Sequence, residues 1–236
     1  MKLADVVQTN FNTLSVIGRF GIKLGFGEKS IKQVSVENSI NPDFLLDILN
    51  TFHDSSYFPQ RHLQGFRVIE IVNYLRETHR HYKKEVIPHI ESLMNMLLES
   101  CARPEEILLV KQFFNDYKDE LFRHLTWEDE EIFPYTIDVE EAFISKRNVE
   151  KVLEQMKGYS MTDFLNDHDD IEAKLNDIKI LFIKYLPPVQ NQHLCLRILR
   201  EFSLLEKDIQ DHARIEEKVL GPKIVEMEKV LAKHHE

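Results

Sequence analysis

Several features are scarce in this chain of 236 residues, and each scarcity removes a class of protein. Two cysteines, Cys101 and Cys195, form neither a Cys-x2-Cys pair nor a disulfide framework, so they read as reduced thiols and point away from an iron–sulfur cluster or a structural zinc finger. Seven glycines and eight prolines are too few for a fold of many strands and turns, and favour long helices. No stretch approaches the roughly 20 consecutive apolar residues that a membrane span needs. The opening Met1-Lys2-Leu3-Ala4-Asp5 lacks the apolar core of a secretion signal, which makes the cytoplasm the expected location. Positive charge is also in deficit. Against 40 acidic residues, 30 lysines and arginines leave a formal charge of −10, unsuited to non-specific binding of nucleic acid or of an anionic membrane surface.

What is present is an apolar fraction of 43% beside 30% charged residues, the balance of a soluble globular chain with room for one well-cored domain and a small accessory one. Residues 1–60 read as a small helical N-terminal module, broken at Gly21, at Gly25-Phe26-Gly27 and at Asn41-Pro42, with a linker at His53–Pro59. Residues 61–236 read as four helices. Phe66, Ile69, Val72, Leu75 and then Val86, Ile90, Leu93 and Leu97 keep helical spacing in a first helix from about 64 to 101, which Pro88 is expected to kink. A second runs from near Pro104, with Glu105 and Glu106 at its positive end, to about Phe133. A longer connection, 134–160, carries its own helical pattern from Glu140 to Lys157. The third helix is expected from a Ser160 or Thr162 cap to Leu186, and the fourth from about Val189 to Lys229. The expected fold is all-α, an up-down-up-down four-helix bundle with the N-terminal module appended.

One chemical phrase occurs twice. His124-Leu-Thr-Trp-Glu128 ends at Pro134 and His212-Ala-Arg-Ile-Glu216 ends at Pro222, both of the form H-x3-E-x5-P. A further histidine precedes each copy, His79 by 45 residues and His168 by 44. On a helix a spacing of four puts His and Glu on one face, one turn apart, so both heads reach the same place. Ligands on two antiparallel helices stand at one height only when the turn lies midway between them. The midpoint of His79 and His124 falls beside Arg103-Pro104, and that of His168 and His212 beside Leu186-Pro187-Pro188, where proline ends helices.

A single H-x3-E pair on an acidic helix is most often a solvated pair contributing roughly a few tenths of a kcal/mol. The duplication, the shared proline offset and the preceding histidines argue for more, because burying two carboxylates and four imidazoles without cations costs several kcal/mol per charge. Neutral imidazole suits iron, zinc, copper and nickel, and a carboxylate's two oxygens can bridge two cations. The set His79, His124, Glu128, His168, His212 and Glu216 therefore reads as a site for two iron ions, bridged by oxo or carboxylate groups, with manganese or zinc as substitutes and open positions for a small diatomic ligand. Helical phase favours His79, which follows Val72 and Leu75 on the core face, over His81, which falls among Arg80, Lys83 and Lys84. Glu172, one turn after His168, is a candidate for an additional metal ligand or hydrogen-bond acceptor, with a solvent-facing side chain as the simpler reading. His53, His62, His89, His193 and His234-His235 read as surface groups, and Trp127 as core packing.

Tyr82 to Pro88 after His79, His124-Leu-Thr-Trp-Glu128 leading to Ile132-Phe133-Pro134, Asp167-His168-Asp169, and His212-Ala-Arg-Ile-Glu216 leading to Val219-Leu220 resemble a hemerythrin-like (HHE cation-binding) domain over roughly residues 66–231. The set of four His and two Glu is most similar to the di-iron family for repair of iron centres, the iron–sulfur cluster repair proteins. Oxygen-carrying hemerythrins have a fifth histidine one turn after the one on the third helix, where this chain has Glu172. The repair members also carry a short helical N-terminal module, to which Phe11–Ile40 is the counterpart. An adjacent cysteine pair normally stands there before glycines. The matching stretch here, Leu24-Gly25-Phe26-Gly27-Glu28, has no thiol, so thiol-assisted handling of iron or nitric oxide is not implied, and dimerisation or partner docking is left as the module's role.

The resemblance implies a non-haem di-iron protein that restores iron–sulfur clusters damaged by nitrosative and oxidative stress. Its implied partners are nitric oxide or dioxygen and apo iron–sulfur proteins, and a homodimer is compatible with it. Two alternatives share the same site: binding or sensing of oxygen or nitric oxide without turnover, and reduction of nitric oxide or peroxide at the two irons. The sequence holds no flavin, haem or nucleotide motif, so an enzyme of the last kind would draw on an external reductant.

Overall fold

Short helices open the chain. The structure, a computed structural model, describes residues 1–54, 56–101, 104–167, 171–185 and 191–233, with only the backbone at 167, 172, 173 and 185. Helices α1 (Leu3–Thr9), α2 (Thr13–Arg19), α3 (Ile31–Glu37) and α4 (Pro42–His53) come first. Ser30 and Gln33 form a reciprocal capping box on α3, and Asn41 accepts the Asp43 N–H ahead of Pro42 at the start of α4. Beyond α2 the chain reverses at Gly21, whose φ of 71° lies in the left-handed region open to glycine. A lone bridge joins Lys2 to Ser30, and no strand occurs among the described residues.

After α5 (Gln60–Leu63) come the bundle helices, three of them interrupted by a π turn among the described residues. The first is α6 (Val68–His81), a π turn at Tyr82–Val86, and α7 (Ile87–Glu99). The second is α8 (Glu105–Trp127), a π turn at Glu128–Ile132, and α9 (Phe133–Ser145). Helix α10 (Val149–Gly158) follows, and α11 (Met161–Asp167) with α12 (Ile171–Tyr185) forms the third. The fourth is α13 (Gln192–Ile215), a π turn at Glu216–Leu220, and α14 (Gly221–Lys233). Helix α12 packs on α8 and α13, α13 on α7, and α14 on α9, which gives the all-α bundle expected from the sequence.

The second helix runs twelve residues past the end expected near Phe133. An uninterrupted α-helix would set the Pro134 ring against a carbonyl four residues back. Here the preceding residue, Phe133, donates instead to Glu128 O, five residues back, and the widened turn takes the proline. Ile87 donates to Tyr82 O before Pro88, and Gly221 to Glu216 O before Pro222, in the same way. At Pro88, where a kink is expected, the helix takes a π turn. The connection expected at 134–160 is largely helix, divided where Lys146 and Asn148 adopt φ of 58°.

Two apolar clusters fill the interior. One gathers Leu45, Ile48 and Leu49 of α4 with Val72, Leu75, Phe133, Phe164 and Leu220, so no gap in the core marks residue 60. The other holds Tyr82, Ile90, Phe114, Phe202 and Leu205, with Cys195 and, at its edge, Cys101. Every bundle helix passes from one cluster to the other within a few residues: between Leu75 and Tyr82, Leu125 and Ile132, Phe164 and Ile171, Ile209 and Ile215. The predicted ligands His79, Glu128 and His212 lie in these intervals, with His124 and Glu216 one residue beyond their ends. His168 belongs to the third and lies outside the described residues, as does the turn at 186–190. No helix among the described residues is long and apolar enough to cross a membrane.

Candidate metal centre

Each π turn stands next to a predicted ligand. Glu128 and Glu216 are the first residues of two of them, one helical turn after His124 and His212, so the Glu-x5-Pro half of the repeated phrase encodes a π turn. The frame occurs a third time as Tyr82-x5-Pro88, three residues after His79, with tyrosine where the other two copies have glutamate. Single π turns inside α-helices are rare and concentrate at functional sites.

His79, Glu128, His212 and Glu216 are all buried, and each offers a nitrogen or oxygen atom within 4.8 Å of the others. His79 Nε2 and His212 Nε2 stand 3.0 Å apart. Two imidazole nitrogens bound to one cation at about 2.0–2.1 Å and at right angles would be about 2.9 Å apart, so the pair is spaced for one metal ion. Glu216 Oε1 lies 3.0 Å from His212 Nε2. Glu128 divides its oxygens, with Oε2 3.5 Å from His79 Nε2 and Oε1 3.2 Å from His124 Nε2. One carboxylate between imidazoles of two different helices is the arrangement a bridging ligand requires.

Electrostatics agree with a cationic occupant. Burial works against a charged His212, but the Glu216 and Glu128 carboxylates outweigh it and raise the imidazole above its ordinary range. Two carboxylates at 0% and 1% exposure call for positive charge, and metal or protons are the candidates. Outside the cluster, His79 Nδ1 is 2.9 Å from Asp129 Oδ1, and Asp129 also takes a 3.2 Å bond from Lys83. Burial tends to raise the Asp129 carboxyl, yet His79 and Lys83 bring it below its usual value. The Asp129 carboxylate accepts from His79 Nδ1, which leaves Nε2 as the ring atom turned toward the cluster.

Five of the six predicted ligands therefore meet at one level. His168 and the side chain of Glu172 lie outside the described residues. His81 faces away and bonds Glu85 at 3.2 Å, as helical phase required. His62 is exposed, as expected of a surface group, but bonds the buried Asp47. Trp127 packs against Tyr159 and Phe164. Sequence reasoning missed Asp129, which no spacing rule connects to His79. It noted Tyr82 to Pro88 but not that they repeat the x5-Pro frame, and it missed Arg19.

With this geometry in hand, residues 70–224 match the family model described as the hemerythrin HHE cation binding domain. The chain belongs to the hemerythrin HHE family. All six predicted ligand positions fall inside the matched segment. Curated relatives extend the likeness beyond this HHE domain. The iron-sulfur cluster repair protein ScdA of Staphylococcus epidermidis is 22% identical over 225 residues, covering 94% of this chain and 96% of its own length, and the same match is found in two strains. The protein of that name from Staphylococcus haemolyticus is 21% identical over 224 residues, covering 92% and 95%. The likeness therefore takes in the N-terminal helices as well as the HHE domain, whose His/Glu cluster has the donor set and spacing to hold a metal.

Proposed function

We propose that this chain is a di-iron protein that serves repair of iron–sulfur clusters damaged by nitrosative and oxidative stress. In this reading His79, His124, His168 and His212 would be its terminal ligands, and Glu128 and Glu216 would bridge the metals. The observation that carries the reading is the division of Glu128, one oxygen toward His79 and the other toward His124. The names of the Staphylococcus relatives support the repair role.

A redox-active metal pair supplies iron for transfer and open positions for a small diatomic molecule. The residues do the rest. Asp129 holds the His79 ring in one tautomer, and the flanking clusters around Leu75, Phe133, Phe114 and Phe202 keep water from the carboxylates. Carboxylate bridges are labile to protonation and to redox change of the metal, which suits a site that gives up iron.

The test is metal content with the visible spectrum, for the full-length protein and Glu128→Ala, followed by incubation with an apo iron–sulfur acceptor. About two irons per chain, charge-transfer bands lost in the variant, and iron appearing in the acceptor are expected. Zinc alone would overturn the di-iron reading, and an unchanged metal content in Glu128→Ala would remove the site. Iron that stays bound while nitric oxide is consumed over many turnovers would replace repair with reduction.

A further inference from the structure

The side chain of Arg19, the last residue of α2, is 1% exposed although it carries a full charge. Its guanidinium lies between the rings of Phe52 and Tyr82, 5.7 and 5.8 Å from their centroids. It forks onto Asp208, Nη1 to Oδ1 at 3.0 Å and Nη2 to Oδ2, and Nη1 also reaches the Tyr74 hydroxyl at 3.4 Å. Phe20, the next residue, stacks on Tyr74 with centroids 5.1 Å apart. One charged residue of the N-terminal helices is thus sealed into the wall of the bundle. A docking contact could have been made by apolar side chains alone, so the charge needs a reason.

The partner supplies one. Asp208 precedes His212 by four residues and Glu216 by eight, so the fourth helix reads Asp-x3-His-x3-Glu along a single face. A carboxylate one turn from a metal-binding imidazole is itself a competent ligand for the same cations. Arg19 holds both of its oxygens. The second helix repeats the arrangement, with Glu120 four residues before His124 and bonded to Lys174.

We propose that Arg19 is a positioning residue for the metal centre: by occupying Asp208, it keeps that carboxylate out of the coordination set and leaves His212 directed at Glu216 and His79. Metal retention then depends on the docking of α1–α4, because withdrawal of Arg19 frees a competing carboxylate beside His212. The N-terminal helices become the element that decides when the centre lets go of its metal. This rests on the reading of the His/Glu cluster as a metal site, and the experiment separates the two.

Full-length protein is loaded with Co(II), its absorption spectrum recorded, and the rate of Co(II) loss to an excess of chelator measured. His212→Ala reports on the underlying site, and Lys2→Ala, which breaks only the exposed pair with Glu28, is the control in the same segment. Arg19→Ala is expected to speed loss about tenfold or more and to alter the Co(II) spectrum, the size of effect seen when an outer partner of a metal ligand is removed. Adding Asp208→Ala to Arg19→Ala removes the competing carboxylate and is expected to restore retention to within about threefold of wild type. Arg19→Lys, a single-point donor that cannot fork, gives an intermediate rate, and it carries the test if Arg19→Ala does not fold. Wild-type rate and spectrum in Arg19→Ala or Arg19→Lys, or a double variant no better than Arg19→Ala, overturns the proposal. Unchanged Co(II) uptake in His212→Ala instead overturns the metal site and the proposal with it.

Discussion

Asp129 accepts a hydrogen bond from His79 Nδ1 at 2.9 Å, and this contact leaves Nε2 of the same ring as the atom that faces His212 and Glu128. Asp129 does not join the cluster, but it decides which nitrogen does. Asp129→Asn keeps the shape and removes the charge that fixes the tautomer. Metal affinity should fall about 10–100-fold, as for other outer-shell carboxylates. Chelator competition measures it, and an affinity equal to wild type would remove Asp129 from the site.

Pro134 and Pro222 are placed to maintain the π turns that begin at Glu128 and Glu216. Alanine restores an N–H and allows the ordinary α register, which moves the carboxylates relative to the histidines one turn before them. Pro134→Ala should leave the thermal stability of the metal-free protein unchanged or raised, while weakening metal binding by about tenfold, or about 1.4 kcal/mol. Undiminished metal affinity would show that packing alone maintains the turn.

Protons and metal compete for the His212 site, with opposite consequences for stability. The folded-state value of His212 is raised above 6.5, because Glu216 and Glu128 together outweigh the larger single effect of burial. Its contribution is therefore fully present below 6.5 and lost as pH rises through the raised value. Metal-free protein should melt lower at about pH 8 than at about pH 6 as far as this group governs, whereas the stabilisation added by metal should grow over the same interval, since ligation needs the neutral imidazole. Melting curves of both forms at the two values check it; a metal increment that shrinks with pH would contradict it.

Gly221, at the end of the third π turn, brings the fourth helix close to α11. A Cβ there would lie 2.7 Å from Leu165 Cδ2. The leucine is flexible enough to yield to a methyl group, and alanine also favours the helix, so Gly221→Ala should cost little. Gly221→Val should destabilise by about 1–3 kcal/mol in urea unfolding, through overpacking against Leu165 three residues before His168. Wild-type stability in the valine variant would show that the two helices do not approach so closely.

Local periodicity settled the repeated elements of this protein. Valine, isoleucine and leucine at helical spacing specify long amphipathic helices, and H-x3-E on such a helix fixes two donors on one face by geometry alone. Equal offsets to prolines lead to the expectation of one height for those donors, and among the described residues His79, His124 and His212 do come together around Glu128. What the sequence did not disclose depends on approach between segments far apart in the chain. His79 faces His212 rather than His124, across helices that pack side by side. Asp129 reaches back 50 residues to His79 with no periodic relation to it. Arg19 crosses 189 residues of chain to Asp208, and Pro134 leaves its helix continuous because a π turn absorbs it. A spacing within one helix is fixed by covalent geometry and 3.6 residues per turn, so sequence carries it. Which faces meet, and which charge fills which gap, follows only from how two apolar clusters close around one polar layer.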